Sequence, residues 1–334
     1  MQFIHLIFLF SFISLSLALT AQQLSTRWTG FKLSHKRRYP SRLDEALRFQ
    51  IFKTNLEMIE QHNAKADAGE VSYRLAMNQF GDMTPHEFSI VHNGFDSGLA
   101  WPNQKAELFS ANASQKSPAS VDWRGLTTPI KNQGSCGACW AFSATGAIEA
   151  HHAKKTGSIV SLSEQQLVDC STPFGNNGCR GGYMNNAFRY IIQNNGINSD
   201  KIYPYSGNGG RCRFRSNDRS KIQMTSFVKI PRGDEAAMEQ ALSTVGPISI
   251  AIDASLQTFQ FYSSGIYSDA ACKNKFEDLN HAVLLVGYGS EGNDQYWILR
   301  NSWGTQWGNQ GYMKIAKGKD NMCGIATESS YPVL

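Results

Sequence analysis

Gln133-Gly134-Ser135-Cys136-Gly137-Ala138-Cys139-Trp140-Ala141-Phe142 is a glycine-bearing turn that carries two cysteines and runs into a helical pattern. A C-x-x-C pair admits three readings. A zinc site needs a second ligand pair of suitable spacing, and the body of the chain contains no other C-x-x-C, C-x-x-x-C or H-x₃-H. A dithiol redox pair belongs to a βαβ context, and no parallel-sheet pattern surrounds this one. The third reading has one cysteine bridged elsewhere while the other opens a helix as a reactive thiolate, its sulfur facing the unpaired N–H groups of the first turn. Cys139 fits that position, with Trp140 to Ala144 continuing the helix.

All seven cysteines lie after residue 130, at 136, 139, 170, 179, 212, 272 and 323. An odd count in an oxidising compartment leaves at least one thiol over, so three bridges would leave one candidate nucleophile. A thiolate needs an imidazole partner. After residue 117 the histidines are His151, His152 and His281. His151 stands twelve positions along the helix of Cys139, roughly 18 Å away at the helical rise, and His152 further. His281, just before the apolar run Ala282–Val286, is therefore the base by elimination.

The remainder of the chain frames this pair. It has 334 residues, 41% hydrophobic and 18% charged, and a net charge of +5 with both signs interspersed. Such a chain has ample material for a buried core, is neither a charge-rich disordered protein nor a multi-spanning membrane protein, and is too mildly basic to imply a nucleic-acid partner. Residues 1–20 read as a signal peptide, because their apolar run is interrupted by Ser11, Ser14 and Ser16 before it reaches the length of a bilayer span. From Leu24 to about Phe95 there is no cysteine, and Leu47, Ile51, Phe52, Leu56 and Ile59 recur at helical spacing. A looser, glycine- and proline-bearing stretch from Asn93 to Ser120 reads as a linker, and it holds the sequon Asn112-Ala113-Ser114.

Beyond it the spacing predicts helices over 139–155, over 163–168 with a capping box from Ser163 to Gln166, and over 183–195. Strands are predicted over 247–252, 282–286, 295–299 and 312–315. Helices followed by strands argue for an α+β body of two lobes with a cleft between them.

Taken together, the 133–140 stretch, Asn280-His281-Ala282 and Asn301-Ser302-Trp303-Gly304 resemble the papain-like cysteine peptidases, with His281 142 positions and Asn301 162 positions after Cys139. The resemblance covers nearly the whole chain and is closest to the cathepsin L branch. It implies an α+β, two-lobed fold, one lobe helical and one barrel-like. It further implies that Cys139 is the nucleophile, His281 its acid/base in a thiolate–imidazolium pair, Asn301 the ring's holder and Trp303 the shield of that hydrogen bond. Gln133, with the Cys139 backbone N–H, would form the oxyanion hole. The implied bridges are Cys136–Cys179, Cys170–Cys212 and Cys272–Cys323. Gly182 would pair with substrate backbone, and Tyr183, Met184, Ala251, Leu279 and Ala282 would line a pocket for bulky apolar side chains.

Glu328 stands where the cathepsin L branch has a small apolar residue, and is expected at the pocket floor, where it would admit Arg. Asn280 stands where that branch has Asp. Arg48, Ile51, Phe52, Asn55, Ile59 and Asn63, then Ala76-x-Asn78-x-Phe80-x-Asp82, match two motifs of inhibitory propeptides, with Asp44 and Ala76 as departures. The resemblance thus implies a signal peptide at 1–20, an inhibitory leader at 21–116 lying through the cleft until removed at low pH, and an endopeptidase at 117–334. Protein and peptide substrates and cystatin-type inhibitors are the implied partners, with no metal, cofactor, nucleic acid or membrane. The implied protein is a glycosylated monomer of the secretory pathway, lysosomal or extracellular.

Overall fold

The computed structural model describes residues 20–100, 106–214, 216–217 and 221–334. The expected signal peptide therefore lies outside the described residues except for Thr20. The leader contains helices α1 (Ala21–Ser34), α2 (Arg42–Asp67) and α3 (Pro85–His92), with strands β1 (Tyr73–Leu75) and β2 (Glu107–Leu108). Thr84 caps α3 through a reciprocal bond pair with Glu87, and Pro85 supplies the first turn, so this helix starts where its chemistry dictates. Trp28 and Phe31 of α1 pack on Phe52 and Leu56 of α2 in a small core of their own. Leu47 does not join it, being 57% exposed, because the buried face of α2 runs through Phe52, Asn55, Leu56, Ile59 and His62.

Polar side chains stitch the leader together. Asn55 Nδ2 donates to the Gly81 and Met83 carbonyls at 2.8 and 3.0 Å. Arg48 donates to Glu87 at 2.8 Å and to the Asp82 carbonyl at 3.0 Å. Asn63 pairs with both backbone groups of Leu75. These are the residues that stand out in the two leader motifs, and their work is to hold α2 across the turn that leads into α3.

The body begins with β3 (Val121–Asp122), then α4 (Cys139–Thr156), α5 (Glu164–Cys170) and α6 (Met184–Gln193). There follow β4 (Ser226–Lys229), α7 (Glu235–Thr244), β5 (Ile248–Ile252), α8 (Gln257–Gln260), β6 (Tyr262–Tyr267), β7 (His281–Glu291), β8 (Asp294–Arg300), β9 (Tyr312–Ala316) and β10 (Glu328–Val333). The predicted helices and strands are all present, their ends displaced by a few residues. One cap differs: Ser163 Oγ accepts from the Gln166 N–H, but the Gln166 side chain turns away to Asn198 and Tyr190 instead of closing the box.

The sheet runs β1-β6-β9-β8-β7-β5-β10-β4-β2, with β3 on β7. Both of its edges are leader strands, β1 antiparallel on β6 and β2 parallel on β4. An open edge offers unpaired N–H and C=O groups, and the leader satisfies them at both ends. Two buried clusters flank the sheet. One gathers α4, α6 and the cysteine turn; the other gathers β5–β9 with Ile59, Phe80 and Phe88 of the leader. The helix α4 is seated on the sheet by Ser143, whose hydroxyl donates to the Val283 carbonyl at 2.7 Å. That contact carries the start of α4 to the start of β7.

Candidate active site

Three bridges, Cys136–Cys179, Cys170–Cys212 and Cys272–Cys323, take six cysteines and leave Cys139 free. Cys139 is the first residue of α4, and His281 is the first residue of β7. The Cys139 sulfur accepts the N–H of Ala282, immediately after His281, at 3.4 Å. On the far side of the ring, His281 Nε2 donates to Asn301 Oδ1 at 2.9 Å. An amide oxygen can only accept, so the proton sits on Nε2 and leaves Nδ1 bare as a base. Nδ1 has no hydrogen-bond partner among the described residues. Trp303 stacks on the imidazole at 4.4 Å between centroids, and the Ser302 N–H holds Asn301 Oδ1 at 2.7 Å. The ring is thus fixed in tautomer, tilt and position.

Gln133 is buried beside the cysteine turn. Ser302 Oγ donates to its Oε1 at 2.7 Å, which points the amide Nε2 inward. There it donates to the Cys136 carbonyl at 3.0 Å and to the carbonyl of His92, the last residue of α3, at 2.9 Å. A leader carbonyl therefore sits on the donor that the resemblance implies for an oxyanion.

The next leader residues lie against the cysteine turn. A Cβ on Gly94 would stand 2.0 Å from the Gly137 carbonyl, so only glycine passes this close to the cysteine turn. Gly182 N–H donates to the Gly94 carbonyl at 2.9 Å, the Asp96 N–H to the Gly182 carbonyl at 3.1 Å, and the Phe95 N–H to the Asn280 carbonyl at 3.0 Å. Gly182 has its own steric reason, since a Cβ there would meet the Trp140 ring at 2.5 Å. The phenyl ring of Phe95 is buried in one cluster with Tyr183, Met184, Ala251, Leu279 and Ala282, 5.5 Å from Tyr183 and 6.3 Å from Phe276 between centroids. The residues expected to line an apolar pocket thus share one buried cluster with a leader side chain, whose ring lies against Tyr183 and Phe276.

Glu328 is buried rather than solvent-facing. It opens β10 opposite Ala251, and its carboxylate meets Asn185, Lys229 and Arg232. Burial, followed by the Glu328 charge, pushes the Tyr183 hydroxyl far above the ordinary phenol range.

Covering the cleft sets the protonation state. Burial pushes the Cys139 thiol up to about 11, against the opposing pull of the Ala282, Gly94 and Trp140 N–H groups. Burial likewise lowers the His281 imidazole to about 3, outweighing the support of Asn301. In the closed molecule burial thus disfavours the charged form of each group.

Residues 117–333 match the profile described as papain family cysteine protease, and residues 28–88 that of the cathepsin propeptide inhibitor domain (I29). The chain belongs to the papain family of cysteine proteases. A cathepsin L-like peptidase of Aedes aegypti is 46% identical, over 98% of this chain and 99% of its own. Procathepsin L of Mus musculus is 48% identical, over 94% and 93%. The structure of a digestive procathepsin L 3 from the larval midgut of Tenebrio molitor matches with a TM-score of 0.86 at 44% identity, covering 93% of this chain and 99% of that one. The chain is a cathepsin L-like cysteine protease proenzyme carrying its own inhibitor domain.

Sequence reasoning missed part of the papain-type site. Asn93 to Asp96 read as the start of a linker, yet they are the segment that fills the cleft. The available signal was an aromatic residue directly after Asn-Gly at the end of a capped helix. Lys229 and Arg232 carried no signal at all, because their shared partner Glu328 stands more than 90 residues away.

Proposed function

We propose that this chain is the inactive precursor of an endopeptidase that hydrolyses peptide bonds through Cys139 and His281. The reading rests chiefly on one observation: the single unbridged sulfur lies at a helix start beside a histidine whose far nitrogen is held by Asn301. When the leader leaves, water returns and the cost of charging the pair falls, so the thiol proton passes to His281 Nδ1. The thiolate attacks the substrate carbonyl carbon and a C–S bond forms. The oxyanion takes the place of the His92 carbonyl, receiving the Gln133 amide and the Cys139 N–H. His281 then protonates the leaving amine as the C–N bond breaks, giving a thioester. Water, deprotonated by the same imidazole, releases the acid and restores the thiolate. Gly182 pairs with substrate backbone, and the pocket now filled by Phe95 takes a bulky apolar side chain. Glu328 adds a carboxylate to that pocket, already engaged by two cations.

The proposed processing is a signal peptide at 1–20, a leader at 21–116 that is shed in acid, and a body at 117–334 that works as a monomer. Passage through the secretory pathway to lysosome or exterior fits the three bridges and an exposed Asn112 sequon. Among the described residues no helix is long and apolar enough to cross a membrane. Cystatin-type inhibitors are the proposed regulators once the leader is gone.

The test is to acidify the purified full-length chain, treat it with a peptidyl epoxide and map the label by mass. A single adduct at Cys139, lost together with peptidase activity in Cys139→Ala, is expected. Activity surviving in Cys139→Ala would sink the reading.

A further inference from the structure

Glu328 is an unusual carboxylate for a pocket wall because its charge is already shared out. Its side chain is 1% exposed. Oε1 accepts from Asn185 Nδ2 at 3.0 Å and lies 3.4 Å from Lys229 Nζ, while Oε2 lies 3.5 Å from the same ammonium and 3.7 Å from Arg232 NH2. The Asn185 amide is held in turn by Ser330, whose hydroxyl donates to Asn185 Oδ1 at 2.6 Å. Arg232 is 55% exposed and stands at the rim, its guanidinium 4.1 Å from the centre of the Phe276 ring. Phe276 in turn faces Phe95 and Tyr183 edge-on. Around the Phe95 ring the contacts thus run outward through Tyr183 and Phe276 to Arg232, which also meets Glu328.

We infer that Lys229 and Arg232 are specificity-determining residues of this pocket, acting by occupying Glu328 so that a basic substrate side chain is rejected. The inference rests on the proposed reading of the cleft and refines it. Two cations on one carboxylate leave the cluster with a net positive charge. An arginine entering in place of Phe95 meets that charge, and reaches Glu328 only by displacing a guanidinium already stacked on an aromatic face. The expectation that Glu328 by itself admits Arg thereby changes: the carboxylate is present, but its partners come from the protein. Removing those partners converts an apolar pocket into one that accepts both classes.

The test uses the full-length chain, activated in acid and counted by active-site titration, as wild type, Arg232→Ala, Lys229→Met and the double variant. Three peptide substrates differ only at the residue entering this pocket: Leu, Arg and Ala. The wild type should prefer Leu over both others. In the double variant kcat/KM for Arg relative to Leu should rise about tenfold or more, the value of one hydrogen bond to a charged group. Adding Glu328→Gln should abolish the gain, returning the Arg to Leu ratio to the wild-type value. An unchanged Arg to Leu ratio in the double variant, with Leu still favoured over Ala, overturns the inference and leaves the pocket reading intact. Equal turnover of Leu and Ala by the wild type would remove both.

Discussion

Replacing Phe95 by alanine tests how the precursor keeps itself closed. The ring is 5% exposed and packed among Tyr183, Leu279 and Phe276, whereas the flanking leader bonds to Gly182 and Asn280 are backbone bonds that alanine retains. Truncating a buried phenylalanine costs about 3–5 kcal/mol in a protein core. Taking the lower figure, because the pocket can partly refill with water, the open cleft becomes about a hundredfold more populated at 3 kcal/mol. The assay is the rate at which iodoacetamide alkylates the full-length chain at neutral pH. Six of the seven cysteines are bridged, so the adduct reports Cys139 alone. In the closed state that thiol is buried and its pKa raised, and the rate therefore follows the open population. Leu43→Ala, at an 80% exposed position of α2, serves as the control and should leave the rate unchanged. Alkylation of Phe95→Ala at the wild-type rate would refute the reasoning: the pocket would then contribute nothing to closure.

Acid should open the molecule. His92 is lowered by burial to about 4, so between the ordinary imidazole value near 6.5 and about 4 the open form binds more protons than the closed form. Closure is thus fully favoured above 6.5 and weakens as pH falls. His92→Leu should move the midpoint of Cys139 alkylation to lower pH; an unmoved midpoint counts against a role for His92. Gln133→Ala in the activated enzyme should lower kcat by about 10²–10³ with KM little changed, and a purely KM effect would remove Gln133 from the oxyanion site. Lys131 Nζ lies 2.6 Å from both Glu149 and Glu164, whose side chains are buried. Lys131→Met strands two carboxylates and should cost about 3–5 kcal/mol, lowering Tm by on the order of 10 °C; calorimetry showing no loss would mean that the cluster is not held by its cation.

The candidate site was legible because its chemistry is local. Cys139 could be singled out from an odd cysteine count and a helix start, and His281 from the absence of a rival within reach. The helical character of the leader was legible too, since 3.6-residue spacing is written in neighbouring residues. Leu47 shows the limit of that spacing: it obeys the helical period of the buried residues and still faces solvent, because the face that is buried depends on what α2 packs against.

By itself the amino-acid order determined the elements, the free thiol and the imidazole that serves it, since each follows from residues a few positions apart or from counting. Only the tertiary structure decided that residues 92–96 fill the cleft, that both sheet edges belong to the leader, and that Glu328 is shared by Lys229 and Arg232. Those features are contacts between segments far apart in the chain, formed where backbone N–H and C=O groups and buried charges find partners. No local pattern encodes which distant partner they find.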